Sequence, residues 1–481
     1  MGQIAALMNR DGEDISSKLG RMLENASQCR GNVFGVATKT GVRVSHGMPK
    51  MPISDLMLGH KLIKIRPEDP AQPLSQHGYS MATEGRNWSS GESSDTTFVA
   101  DLFGREPRQA AECLYRENVS FAFTVLEEER LICGRDEVGH VPMYIGENDE
   151  LIAVASNRKM IWAVGLEAKR FKPGYLAEIT RQGISIRVIT NIAQPPEVPI
   201  TLSDAVEKLD ELLSHAVEAR CRGVFRVALG FSGGIDSSLL AYYLDDAGVQ
   251  VDLFCVGMQG SRGFEAAERA ADYLDLPLRL EAFDAEDVEE DLDDVLWSVE
   301  EPDPMKVGVG LPMFWAARGA SEGGTRVFLS GNGSDELFGG YHKYAMEYAD
   351  TGDTVRASIF RDVVSAHEVN YERDHKICSD LGMELRLPFA DIEVIRFGLS
   401  LPTGLKLSRN PDVRRKLILR ALAREIGFTE EMVDRPKKAV QYSTKANKAL
   451  TKMAKSEGKK LRDFLAERFD RVKKERLSEA T

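Results

Sequence analysis

The sequence predicts two domains of different class: an α+β domain built on antiparallel sheet, then an α/β domain with a doubly wound parallel sheet. Three observations carry this. Up to about residue 190 the chain falls into short alternating apolar runs separated by turn residues. Gln194-Pro195-Pro196-Glu197-Val198-Pro199 then sets three prolines in six residues, which neither a helix nor a central strand accommodates. After it, helical and strand-like runs alternate, as in a parallel sheet with crossover helices. The expected boundaries are 1–193 for the first domain, 194–200 for a Pro-rich linker, 201–450 for the second domain and 451–481 for a basic helical tail.

Within the first domain, residues 121–126, 130–134, 143–145 and 151–155 read as strands, with turns such as Glu147-Asn148-Asp149 between them. Residues 175–179 and 184–189 read as a hairpin around Gln182-Gly183. Helices are expected near 15–26 and 108–115.

The second domain opens with Ala205, Val206, Leu209, Leu212, Leu213, Ala216 and Val217 on one helical face. Strands are expected at 224–231, 251–255, 278–283 and 327–329, and helices at 239–246, where Gly248 can cap, and at 264–274. Residues 284–294 are strongly acidic, with Val288 and Leu292 spaced for one face; they read as a solvated helix rather than a metal site. From about residue 345 the chain is mainly helical.

Composition bounds the function. The 481 residues can bury two or three cores, and 43% hydrophobic with 28% charged residues fits a globular protein. No apolar run reaches the roughly 18 residues that span a bilayer, and no basic-plus-apolar leader opens the chain, so a cytoplasmic protein is expected. Cys29, Cys113, Cys133, Cys221, Cys255 and Cys378 lack C-x-x-C spacing, which argues against a zinc site or disulfide framework. A net charge of −13 argues against nucleic-acid binding by the bulk of the chain. After Glu431, Lys and Arg outnumber Asp and Glu about twofold, so the tail is either a solvated helix or a basic contact surface.

The chemistry concentrates where the strand over 224–231 stops at Ser232-Gly233-Gly234 and a helix opens at Ile235-Asp236-Ser237-Ser238. A helix N-terminus offers unpaired N–H groups, glycines let the backbone approach a ligand, and hydroxyls add donors. The turn reads as a phosphate seat, with an ordinary strand-to-helix turn as the alternative. No Walker lysine follows the glycines. An acid beside a polyphosphate implies a divalent cation between them, so Asp236 points to magnesium. A second loop, Ser330-Gly331-Asn332-Gly333-Ser334-Asp335 through Tyr341, follows the strand at 327–329. Two such loops on one parallel sheet can face each other across a nucleotide, with Asp236 and Asp335 sharing the magnesium. The alternative is a glycine-rich lid with a helix-capping Asp.

These two loops resemble those of the asparagine synthetase family, within the pyrophosphate-loop ATPases (adenine nucleotide alpha hydrolase-like). Glu384-Leu385-Arg386-Leu387-Pro388-Phe389-Ala390-Asp391 is similar to the family's E-V-R-V-P-F-L-D, Lys416-Leu417-Ile418-Leu419-Arg420 to its K-x-L-L-R, and Arg435-Pro436-Lys437 to its R-x-K. The first domain resembles the family's class II glutamine amidotransferase domain, an Ntn-type sandwich, through Leu58-Gly59-His60-Lys61-Leu62, Gln72-Pro73, Ser94-Asp95-Thr96, Gly134-Arg135-Asp136 and Phe171-Lys172-Pro173-Gly174. The resemblance implies that Phe231 and Val256 contact ATP through their backbone, and that Ser330 and Gly331 contact it from the second loop. Ser232, Gly233, Gly234, Asp236, Ser237 and Ser238 would receive the pyrophosphate, Asp236 and Asp335 would hold Mg2+, and Lys437 would neutralise the triphosphate, with Lys438 adjacent. A homodimer is implied as well.

Five departures bear on the activity. Glutaminase-active members begin Met-Cys-Gly-Ile, and the Cys is the nucleophile; this chain reads Met1-Gly2-Gln3-Ile4. The family's N-G-E segment is here Glu84-Gly85-Arg86, which sets a carboxylate at an oxyanion donor and a cation where an acid should meet the substrate ammonium. Arg30 and Asp95 match glutamine-contacting positions. In the second loop Asn332 replaces a Glu implicated in amide formation, and residues 301–310 and Gln441-Tyr442-Ser443 also depart from the pattern. The expectation is an ATP-dependent amide-forming ligase without glutaminase activity. It would adenylate a carboxylate, aspartate by default, and take nitrogen from ammonia, an amine or a separate glutaminase partner. A ring-closing ligase similar to β-lactam synthetase, an ATP-using tRNA base modifier and a non-catalytic nucleotide-binding scaffold are the other readings.

Overall fold

The computed structural model describes residues 2–26, 33–76, 78–89, 95, 99, 112–261, 263–410, 414–435 and 444–479. The chain forms two compact units. Residues 1–191, 378–384 and 469–481 make the first; 192–377 and 385–468 make the second.

The first unit holds two antiparallel sheets. In chain order its strands are β1 (Gly2–Asn9), β2 (Val33–Thr38), β3 (Gly41–His46), β4 (Leu56–Leu62), β5 (Leu74–Gln76), β6 (Tyr79–Asn87), β7 (Val119–Glu127), β8 (Arg130–Arg135), β9 (Tyr144–Glu147), β10 (Leu151–Ala155), β11 (Lys169–Arg170), β12 (Tyr175–Thr180) and β13 (Gly183–Val188). One sheet runs β11-β9-β10-β1-β4-β2-β3 and the other β13-β12-β8-β7-β6-β5. Ile4, Ala6 and Met8 of β1 pack between the sheets with Ala82, Ala122, Leu131, Cys133 and Ile179. Ala5 and Leu7 of the same strand face outward against Leu19, Met22 and Leu23 of helix α1 (Ser16–Glu24) and Met160 and Ile161 of α2 (Arg158–Trp162).

The runs expected as strands between 121 and 189 are strands, and the hairpin turns before Gly183 as expected. The strands of the first 90 residues were not individually legible. β1 and β4 are buried on both faces, so they lack the polar alternation that marks a half-exposed strand. The helix expected at 108–115 is partly outside the described residues, of which 112–114 are helical.

The second unit opens with α3 (Leu202–Cys221) and continues β14 (Arg226–Gly230), α4 (Ile235–Asp246), β15 (Gln250–Met258), α5 (Phe264–Leu274), β16 (Leu278–Phe283), α6 (Ala285–Val299), α7 (Pro304–Glu322), β17 (Val327–Leu329) and α8 (Ser334–Leu337). After α9 (His342–Thr351), α10 (Val355–Ala366) and a π-helical turn at His367–Tyr371 come α11 (Glu372–Asp380), β18 (Glu384–Arg386), α12 (Ile392–Ser400), α13 (Leu417–Ile426), α14 (Glu430–Val433), α15 (Ala446–Ser456) and α16 (Leu461–Glu479), of which residues 378–380, Glu384 and 469–479 count with the first unit. The sheet order is β16-β15-β14-β17-β18, and β14 pairs in parallel with both β15 and β17. The chain winds outward from β14 in one direction, then returns to β17 on its other side. The crevice at the carboxyl ends of β14 and β17 is therefore the topological switch point, where such sheets take ligands.

The acidic stretch is a helix, α6, started by an Asp284–Asp287 capping box. It is not simply solvated. Asp291 is buried, accepts from Trp315 Nε1 at 2.8 Å and binds Arg318, while Glu289 and Asp293 pair with Arg468 of α16. Opposite charges on the basic tail therefore account for part of this acidic run. The tail itself carries buried apolar residues, Phe464, Leu465, Phe469 and Val472, at helical spacing.

Candidate functional site

The first loop turns tightly between β14 and α4. Gly233 sits at φ +62, and a Cβ there would stand 2.4 Å from the Ala266 carbonyl oxygen, so only glycine fits. Ser232 Oγ accepts from Gly234 N at 3.3 Å, and Ser237 Oγ accepts from Ser232 N at 3.2 Å. Gly234 caps α4, so Asp236 lies in the first turn of the helix. Ser238 Oγ is buried without a hydrogen-bond partner among the described residues. Phe231 is buried and its N–H donates to Phe254 O at 2.8 Å, while Val256 sits half-buried on β15 beside the switch point.

The second loop follows β17, with Ser330, Gly331 and Asn332 half-buried and Gly333 at φ +95 starting α8. Gly331 passes close to Asp236: a Cβ there would be 3.2 Å from the Asp236 Cβ. The two sequence-predicted acids converge. Lys416 Nζ stands 2.6 Å from each oxygen of Asp236 and 2.6 Å from Asp335 Oδ1. Ser334 Oγ donates to Asp236 Oδ1 at 2.9 Å. Behind Asp335, the buried Glu336 accepts from Tyr341 Oη at 2.5 Å and Asn370 Nδ2 at 2.7 Å; burial, then the Asp335 charge, raises its carboxyl above the usual range.

Cations gather around this point. Arg435 donates to the Ser232 carbonyl at 2.7 Å, and Arg420 Nη2 donates to the Arg435 carbonyl at 3.3 Å. Burial lowers the guanidinium pKa of Arg415, against the pull of Asp335. Lys416 and Arg435 were visible in sequence only as members of motif strings, without a role. Lys437, Lys438 and residues 441–443 lie outside the described residues.

Asn332 Nδ2 donates to the Asp374 carboxylate, which also pairs with Arg373 at 2.6 Å. A Glu at 332 would face that carboxylate, so the amide suits its surroundings. Asp374 lies on α11, directly after the π-helical turn. Eight of the helix's nine residues are buried although seven are polar, a combination invisible to hydropathy, and π-helical turns such as the one before it are frequent at functional sites. The departing stretch at 301–310 is a helix start: Asp303 accepts from Met305 N and Lys306 N, both at 2.9 Å.

In the first unit, the residues expected around an amidotransferase site pack against one another. A Cβ at Gly2 would stand 2.1 Å from His60 Nε2, so the imidazole fills the space a side chain would need. Both His60 nitrogens are buried without partners among the described residues, and burial pushes the imidazole down to about 3. Arg86 is buried against Asp69 at 2.7 Å, Asp95 at 2.8 Å and Glu384 at 2.6 Å. Asp95 also takes Arg66 at 3.2 Å and the Asn87 N–H at 2.9 Å. Burial opposes the charge on Asp69, but the Arg86 contacts outweigh it and hold the carboxyl well below the usual range. Arg30 lies outside the described residues.

Among the described residues no group of three or more His, Cys, Asp or Glu side chains could hold a metal. Asp236 and Asp335, with side chains 14% and 20% exposed, fit the smaller requirement of magnesium, which takes one or two carboxylates and completes its shell with phosphate and water. No helix among the described residues is long and apolar enough to cross a membrane.

An antiparallel double-sheet unit and a parallel-sheet unit with two glycine-serine loops at its switch point define a two-domain class, α+β followed by α/β. The family model for asparagine synthase matches residues 208–353 and 346–481, and that for a glutamine amidotransferase domain matches 65–163. A Methanocaldococcus jannaschii protein provisionally named asparagine synthetase [glutamine-hydrolyzing] 1 is 31% identical over 412 residues, covering 75% of each chain. Asparagine synthetase [glutamine-hydrolyzing] 2 of Arabidopsis thaliana is 29% identical over 352 residues, covering 68% of this chain and 58% of its own length. A solved glutamine phosphoribosylpyrophosphate amidotransferase from B. subtilis aligns with 16% identity and TM-score 0.34 over 58% of this chain and 65% of that one, too low to carry weight. The chain belongs to the asparagine synthetase family and is an asparagine synthetase-like ligase.

Proposed function

We propose that this protein is an ATP-dependent, AMP-forming ligase that converts a carboxylate to an amide, with nitrogen from ammonia or an amine rather than from its own glutamine hydrolysis. The observation that carries the reading is the convergence of Asp236 and Asp335 from two loops at one switch point, with Lys416 between them and Arg435 on the Ser232 carbonyl of the first loop. ATP would lie across the crevice with its phosphates on the N-terminus of α4 and the Ser232–Ser238 hydroxyls. A carboxylate oxygen of the acid attacks the α-phosphorus, the α–β bridging bond breaks, and pyrophosphate leaves into the first loop. Ammonia then attacks the acyl carbon, a proton passes to solvent, and AMP departs. Magnesium held by Asp236 and Asp335 would offset polyphosphate charge. Lys437 is assigned the charge at the transferring phosphoryl group, by motif alone.

Three features support an inactive glutaminase: Gly2 offers no nucleophile, His60 fills the neighbouring space, and Asp95 is bound to Arg86 and Arg66 rather than open to a substrate ammonium. Aspartate is the first acid to try.

The test is ATP–pyrophosphate exchange against a panel of carboxylates, with and without ammonium. Exchange should depend on one acid and fall at least about a hundredfold in Asp236→Ala, given the several kcal/mol a metal-held phosphate clamp supplies. ATP binding without exchange for any acid would sink the reading.

A further inference from the structure

The two carboxylates assigned to a divalent cation are already engaged by a cation of the chain itself. Lys416 is 2% exposed and sits at φ +59, a left-handed conformation that a non-glycine residue keeps only when its surroundings impose it. Its Nζ touches Asp236 and Asp335, at 2.6 Å each, and Ser334 Oγ at 3.1 Å, so the ammonium stands at the centre of the donor set. Gly340 closes one side: a Cβ there would lie 1.9 Å from Asp335 Oδ1 and 2.4 Å from Lys416 Cε. The aspartates come from loops about a hundred residues apart in sequence, and Lys416 forms ion pairs with both.

We infer that Lys416 is the resident counter-cation of the Asp236–Asp335 pair, and that it makes divalent-cation binding at these carboxylates conditional on a bound polyphosphate. This rests on the reading of both aspartates as cation ligands. Without nucleotide, an incoming cation meets an ammonium already holding the oxygens it needs, and only one net negative charge remains on the three groups. Magnesium sheds water reluctantly and needs more oxygens than two shared carboxylates provide. A triphosphate changes the balance. It supplies those oxygens and gives the lysine, a point charge on a flexible stem, alternative acceptors within reach. Lys416 thus draws the two loops together before substrate arrives and yields the carboxylates when it does.

The experiment measures Mn2+ binding to the full-length protein by water-proton relaxation, which distinguishes protein-bound from free and ATP-bound Mn2+. It compares wild type, Lys416→Met, Lys416→Arg and Asp236→Asn, with and without ATP. Without ATP, Lys416→Met should bind Mn2+ about tenfold or more tightly than wild type, and Lys416→Arg should resemble wild type. Mn2+ alone should raise the melting temperature of Lys416→Met and not that of wild type. Lys416→Gln, uncharged but still hydrogen-bonding, provides the same comparison if the Met variant does not fold. A merely structural lysine would lose binding on replacement, not gain it. The inference is overturned if neither uncharged variant binds nucleotide-free Mn2+ more tightly than wild type while Asp236→Asn still removes ATP-dependent binding. If Asp236→Asn leaves ATP-dependent binding intact, the cation assignment fails instead, and the inference with it.

Discussion

A hydrogen atom stands in place of a side chain at position 2, and the space beside it is filled. His60 occupies the space beside Gly2 and is held neutral by burial, with its pKa pushed down to about 3 from 6.5. Between those values the unfolded chain binds a proton that the folded one does not, so stability rises with pH across the window and is complete above 6.5. Acidification from pH 6.5 to ~5 should therefore cost the wild type about 2 kcal/mol that His60→Leu does not lose, measured by urea unfolding of both proteins at both pH values. Gly2→Cys should fail to gain glutamine hydrolysis in an ammonia-release assay. The new side chain would meet His60, and Asp95 would still be held by Arg86 and Arg66. Glutamine hydrolysis in that variant, or in the wild type, would show that the pocket remains usable. Position 332 follows similar logic: the amide there completes a hydrogen bond to Asp374 that a second carboxylate could not make.

At the scale of elements, the strand–loop–helix unit β14–α4 was readable in the sequence because each part is locally coded. An apolar run of buried-strand type stops at glycines, and an acid and hydroxyls stand at the helix start. Gly233 is the position where local and tertiary demands coincide, through its positive φ and its contact with the backbone of α5. Gly233→Ala should destabilise the protein by roughly 1–3 kcal/mol and weaken ATP binding at least as strongly, as read by thermal unfolding and by nucleotide titration. Other elements were harder to read. β1 and β4 lack alternation because both faces are buried, and α11 is polar yet buried because its charges find partners from distant segments. No window of neighbouring residues contains those partners.

At the scale of the whole molecule, buried charge networks stand where the sequence offered only isolated charged residues. Arg86 neutralises Asp69, Asp95 and Glu384 at once, the last being 298 residues away. Arg86→Met leaves three buried carboxylates without their common partner and should cost on the order of 3–5 kcal/mol in denaturant unfolding, with Arg86→Lys recovering only part because it lacks the planar fork. In the second unit, Arg220 pairs with Asp391 at 2.8 Å, so the last residue of the E-L-R-L-P-F-A-D string both caps α12 and holds α3.

The sequence by itself determined the order of the two fold classes, the two glycine-serine loops, the place of Asp236 and Asp335 in those loops, and the glycine at position 2. These are properties of residue type and near-neighbour spacing, which turn geometry and strand–helix alternation translate directly. Only the tertiary structure decided that Lys416 sits between the two aspartates, that His60 fills the space beside Gly2, and that Arg86 binds Asp95. Those outcomes depend on which side chains meet after the chain has wound out from β14 and back to β17, and after the antiparallel sheets have paired. Contact energy between residues tens to hundreds of positions apart has no local signature, so the motifs could mark Lys416 and Arg86 as present without saying what each one holds.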